Sequence, residues 1–160
     1  MDKIIFAKRK SVKQVEEGNV LAPKFNSDGI IPAVVTETSS GEVLMLGFMN
    51  EESLTKTIET QQAYYWSRSR GALWKKGETS GMIHRIDEIL IDDDQDSLWI
   101  KVSIEGLGAS CHVGYKSCFY RSVPLGKIEN SEKVEMTFKE KEKKFDPEEV
   151  YKGQSNPTKL

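Results

Sequence analysis

The sequence predicts an α+β fold rich in strands: a mostly antiparallel twisted sheet with a few short helices. Apolar runs of strand length recur between Gly29 and Ile104, turn residues separate them, and one well-marked helical period interrupts them near 51 to 60. At 160 residues the chain has room for one domain with a real core and not for two of ordinary size.

Each element has its own signal. Ser11 and Gln14 have the spacing of a capping box, Val12 and Val15 lie behind them and Gly18 stops the run, so a short helix is expected within an N-terminal extension over residues 1–24. Ile30 to Val35 and Val43 to Phe48 are apolar runs joined by Ser39-Ser40-Gly41, the pattern of a hairpin. Asn50 suits the cap of the next helix, Glu51 and Glu52 complement its N-terminal dipole, and Leu54 and Ile58 share one face. The aromatic-rich stretches Ala63 to Ser69 and Leu73 to Trp74 flank Gly71 as a second hairpin would, and Ile83 to Ile91 and Ser97 to Ile104 read as two further strands.

The folded core of this single domain should therefore cover about residues 25–121. Residues 122–160 form a charged C-terminal extension, in which the mixed-sign run Lys139 to Lys144 cannot build a core alone. Asp146-Pro147-Glu148-Glu149 carries a cap and a proline for one helical turn.

A formal net charge of −2 predicts no general attraction to nucleic acid or to an anionic membrane, so any cationic site must be local. No apolar run approaches the roughly 20 residues that span a bilayer, and the opening MDKIIFAKRKSVKQ lacks the pattern of a secretion signal. A cytoplasmic protein is expected. The two cysteines, Cys111 and Cys118, are too few for a secreted disulfide scaffold.

Three clusters could carry chemistry. Asp92, Asp94 and Asp96 would share one face of extended backbone, with Asp93 on the other; such a face is either a solvated acidic turn or a seat for a hard cation such as Mg²⁺. A calcium-binding EF-hand loop is excluded, because Ser97 and Ser103 stand where it needs glycine and glutamate. Cys111-His112 and Cys118 place two soft ligands and an imidazole in one glycine-containing segment, which suits zinc but equally describes two free thiols. Trp66, Arg68 and Arg70, followed by Lys75, Lys76, Gly77, Glu78, Thr79 and Ser80, combine cations, hydroxyls and backbone NH groups as a phosphate cradle with an aromatic face for a base. The same residues could be an exposed strand face with cross-strand aromatic pairs.

The stretches GEVLMLGFMNEESL, YYWSRSRGALWKKGETSG, DDDQD and ASCHVGYKSCFYR, in this order, resemble the phosphoribosyl-AMP cyclohydrolase family from about Gly29 to Arg121. The resemblance implies hydrolysis of the N1–C6 bond of the adenine ring of phosphoribosyl-AMP in histidine biosynthesis, by a homodimer whose intertwined subunits share their sites. It implies two cofactors: Mg²⁺ on Asp92, Asp94 and Asp96, and Zn²⁺ on Cys111 and Cys118 with a further ligand from the partner chain. Zinc makes water acidic enough to supply hydroxide near neutral pH, and His112 and His84 are the candidates for moving protons at the ring. The basic cluster would hold one of the substrate's two phosphates, with Mg²⁺ or Lys116 near the other.

This chain departs from the family pattern at two points. Asp93 stands where the pattern has the cysteine that would supply the third zinc ligand, so a carboxylate from the partner chain is expected in its place. Met82 stands where asparagine is common after T-S-G. A zinc nucleoside deaminase is a poor fit, since Arg85-Ile86 follows His84 and the cysteines lack the C-x-x-C spacing. The other reading is a nucleotide-binding or regulatory homologue that has lost catalysis with its third zinc ligand. The extension after Ser122 is too short and too charged for a fused pyrophosphohydrolase domain, so the cyclohydrolase step alone is expected.

Overall fold

A computed structural model describes residues 3–160. Its centre is a four-stranded sheet in the order β2-β1-β6-β5, formed by β1 (Ile30–Glu37), β2 (Val43–Asn50), β5 (His84–Ile91) and β6 (Leu98–Ile104). The neighbours β1–β2 and β5–β6 are antiparallel, as hairpin-like connections dictate. The pairing of β1 with β6 is parallel, a feature that local patterning does not reveal.

Alternation along β1 and β6 turns Ile31, Ala33, Val35, Ile100 and Val102 into one core with Leu44, Met49, Leu54 and Tyr65. The helix α2 (Glu51–Thr60) covers this core, started by a reciprocal capping box in which Asn50 and Ser53 each accept from the other's backbone. It ends at Gln61 in the left-handed region, φ 56°. The short helix α1 (Val12–Glu17) begins at Ser11 as its spacing predicts.

The second hairpin, β3 (Tyr64–Ser67) with β4 (Ala72–Lys75), lies beside β2. Gly47 on β2 makes this approach possible, because a Cβ there would fall 2.8 Å from the Tyr65 ring. Tyr65 is thereby fully buried, with Trp74 against it at 5.1 Å between ring centroids.

The C-terminal extension is more organised than its composition predicts. A two-residue pairing of β7 (Arg121–Ser122) with β8 (Thr137–Phe138) folds it back, and α3 (Pro147–Val150) follows, capped by Asp146. Phe145 and Met82 are buried together with Ala109 in a second, smaller core, to which Val150 and Tyr151 add. Phe145 is the apolar anchor that the surrounding charge run conceals.

Candidate active site

The Cys111–Cys118 segment is a closed loop held from several sides. Ser110 N donates to Lys116 O and Cys111 N to Tyr115 O, at 2.8 and 3.1 Å, so the chain doubles back on itself. Ser117 Oγ and Cys118 N tie it to the β2 backbone at Val43 and Leu44, both at 2.7 Å. Glu140, from the charged run, accepts from Lys116 N and Ser117 N at 2.8 and 2.9 Å. Nothing in that run distinguishes Glu140 from its charged neighbours, which is why sequence reasoning missed it.

Both cysteines are free thiols, and they hydrogen-bond to one another. That bond, aided by the nearby Lys76 ammonium, lowers Cys111 to about 7, while the proton left on Cys118 is held strongly because a second thiolate would face the first. The pair therefore yields one thiolate easily. Lys76 is buried beneath it, donating from Nζ to Ser110 O, and burial lowers its own pKa. His112 is half-buried, and its Nε2 is a buried nitrogen with no hydrogen-bond partner among the described residues. Burial, then the Lys76 charge, push its pKa down, with Asn156 opposing.

Around this floor opens a cavity of about 1380 Å³. Trp66, Gly77, Thr79, Ser80, His112 and Cys118 line it, with Arg68, Arg70, Lys75, Lys76, Lys152 and Lys159 as six cations against the two carboxylates of Glu78 and Glu148. A chain of net charge −2 thus concentrates positive charge locally, as a pocket for an anion requires. Arg68 lies over the Phe48 ring, 3.9 Å from its centroid, and Arg70 Nε donates to Ser67 Oγ at 3.2 Å.

His84 and Lys116 lie off this cavity wall, as do Cys111 and the aspartates Asp92, Asp93, Asp94 and Asp96. His84 is fully buried, with Nδ1 3.2 Å from Tyr65 Oη and Nε2 2.7 Å from Ser110 Oγ. Burial, reinforced by Lys76, holds it neutral, and burial keeps Tyr65 protonated. Neutral His84 therefore donates one of these two bonds and accepts the other, which makes it a brace for the cysteine loop. Lys116 is paired with Glu37 and Glu42 at 2.9 and 2.8 Å, both at the β1–β2 turn.

The acidic cluster does converge, by a route different from the extended strand its spacing suggests. Residues 93 and 94 form a turn, closed by Gln95 N donating to Asp92 O, and Asp92 Oδ1 accepts from Asp96 N and Ser97 N at 3.0 Å each. Asp92, Asp94 and Asp96 place one ligand atom each within 4.8 Å of the others. Loss of solvent around it, together with the charges of Asp96 and Asp92, raises the Asp94 pKa, so the cluster carries a repulsion that a cation would relieve. Asp93 is exposed and belongs neither to this group nor to the cavity lining.

Gln95, in the left-handed region at φ 57°, is the residue that shapes this turn and that pattern reading overlooked. Its side chain accepts from Ala22 N at 2.8 Å and donates to Val15 O at 3.0 Å, while Arg9 reaches Asp94 O at 2.7 Å. The N-terminal extension thus clamps the acidic turn.

A thiol pair, a buried ammonium and an imidazole with an unpartnered Nε2 under a cationic vault suit an enzyme that handles a small phosphorylated molecule. The phosphoribosyl-AMP cyclohydrolase family model matches residues 45–120. The chain is 46% identical to the phosphoribosyl-AMP cyclohydrolase of Nitrobacter winogradskyi over 146 residues, covering 91% of this chain and 97% of the relative. The cyclohydrolase of Rhodopseudomonas palustris is 49% identical over 149 residues, 89% of this chain and 94% of the relative, and that of Brucella anthropi 55% over 111 residues, 69% and 79%. This chain belongs to the phosphoribosyl-AMP cyclohydrolase family. No helix among the described residues is long and apolar enough to cross a membrane.

Proposed function

We propose that the chain opens the adenine ring of phosphoribosyl-AMP at the N1–C6 bond in histidine biosynthesis. It acts as a single-domain, cytoplasmic enzyme that takes neither nucleic acid nor membrane as partner. The observation that carries this reading is the pairing of Cys111 with Cys118 on Lys76 at the floor of the cationic cavity.

The thiol pair fits zinc, because it loses its first proton near neutrality and zinc favours soft thiolate ligands. Zinc held by Cys111 and Cys118 would supply a Lewis acid that acidifies water. The Asp92, Asp94 and Asp96 oxygens fit Mg²⁺, which prefers hard carboxylate ligands and would accompany a phosphate.

The chain's own residues then hold and protonate the substrate. Arg68, Arg70 and Lys75 meet phosphate, the Gly77 to Ser80 loop offers backbone NH and hydroxyl groups, and the Trp66 face receives the base. His112, kept neutral by burial, takes a proton from the water that attacks C6 and returns it to the departing ring nitrogen. His84 acts through Ser110, fixing the loop that carries Cys111.

What one chain lacks supports a homodimer with shared sites. No third metal-ligating side chain joins Cys111 and Cys118 among the described residues, and Leu46 and Phe119 expose large apolar side chains beside the thiol-bearing segments. Asp93 of the partner subunit would complete the zinc site. Turnover by Cys118→Ser and Asp93→Ala, each alone and then mixed, tests this. Two inactive variants recovering roughly a quarter of full activity on mixing supports shared sites. No recovery in mixed, folded dimers refutes them, and nucleotide binding without turnover by the unaltered chain would favour a binding protein.

A further inference from the structure

We propose that the C-terminal segment from Phe145 to Lys159 is part of the substrate pocket, with Lys152 and Lys159 supplying the cations for one of the substrate's two phosphates. The inference rests on the phosphoribosyl-AMP reading and deepens it, since the family match ends at residue 120 and leaves this segment without a role.

The segment is docked. Phe145 is buried against Met82 and Ala109, and its ring meets Tyr151 at 6.0 Å between centroids. Lys144 N donates to Gly114 O at 2.7 Å, and a Cβ on Gly114 would lie 2.5 Å from Phe145 O, so the cysteine loop and the tail fit together only with glycine at that point. Met82 is buried with them, and its thioether fills the seat beneath Phe145.

From that anchor the chain passes over the cavity, and 152–159 line it continuously with Arg68 and Arg70. Neither Lys152 nor Lys159 forms an ion pair among the described residues, although Glu148 lines the same cavity. A substrate phosphorylated at both ends presents two separated dianions. The Arg68–Arg70–Lys75 group serves one, and the tail lysines give the second a cationic partner in the same cavity.

The test compares the full chain with the Lys152→Ala/Lys159→Ala double variant and with a chain ending at Tyr151, which keeps the Phe145 anchor. KM and kcat for phosphoribosyl-AMP are measured beside the calorimetric affinity for the ring-opened product, which carries both phosphates. Loss of a charge-assisted phosphate contact should raise KM about tenfold, leave kcat within about threefold, and weaken product binding in parallel. KM and product affinity within about twofold of the full chain's would overturn the proposal. If the full chain binds product but turns nothing over, the functional reading falls while the tail lysines stand or fall on binding alone. If it binds neither ligand, both are overturned.

Discussion

His84 Nε2 and Ser110 Oγ are 2.7 Å apart, both side chains are buried, and this bond joins strand β5 to the residue that precedes Cys111. The site's rigidity begins there. Tyr65, His84, Ser110 and Lys76 form a continuous polar chain through the interior, ending under the thiol pair.

Removing the imidazole leaves Tyr65 Oη and Ser110 Oγ buried without partners. His84→Ala should therefore cost about 2–4 kcal/mol in urea denaturation, and it should loosen metal binding at the cysteines. His84→Gln, which can bridge one of the two hydroxyls, should lose less. Equal stability of the unaltered protein and His84→Ala would show that the chain of hydrogen bonds contributes nothing.

The same histidine predicts a pH dependence. Its folded-state pKa lies well below the usual 6.5, so the unfolded state binds the proton first as pH falls. The stability it contributes is complete above 6.5 and is lost below it, at up to about 1.4 kcal/mol per pH unit until the folded value is reached. Denaturation curves between pH 7 and 5 should show this slope, and His84→Gln should remove it.

Gln95 governs the acidic turn through its backbone and its side chain. Gln95→Ala should lose about 1–3 kcal/mol, since Ala22 N is left buried and unpaired and alanine strains the left-handed position; Gln95→Gly should lose less than Ala because only the hydrogen bonds disappear. Mg²⁺ titration should show weaker binding in both, as Asp94 and Asp96 lose their framing.

Met82→Ala would leave a void beneath Phe145. A stability loss of about 2–3 kcal/mol is expected in thermal unfolding, with faster proteolytic cleavage after residue 145. An unchanged cleavage rate would mean that the smaller core does not hold the tail.

Much of this was legible from patterning: the hairpins, the Asn50 cap and the helix it starts, and the short helix at Ser11 all follow from local periodicity and capping chemistry. The parallel pairing of β1 with β6 was not, because register between distant strands depends on the whole packed sheet. The thiols, the basic segment and the aspartates were visible as residue types. Their spatial roles diverged from spacing: the aspartates meet through a left-handed turn at Gln95, Lys116 spends its charge on Glu37 and Glu42, and His84 is sealed inside. Phe145 and Glu140 were hidden because one apolar and one acidic residue in a charged run have no period to mark them.

The central claim is ring opening that depends on the cysteine site. Its most direct measurement is ultraviolet absorbance during incubation of phosphoribosyl-AMP with metal-depleted protein, resupplied with Zn²⁺ and Mg²⁺ singly and together. The account predicts no turnover without zinc, restoration when it is added, further gain with Mg²⁺, and loss of both bound zinc and rate in Cys111→Ser. Folded protein that opens no ring under any of these metal conditions would contradict it.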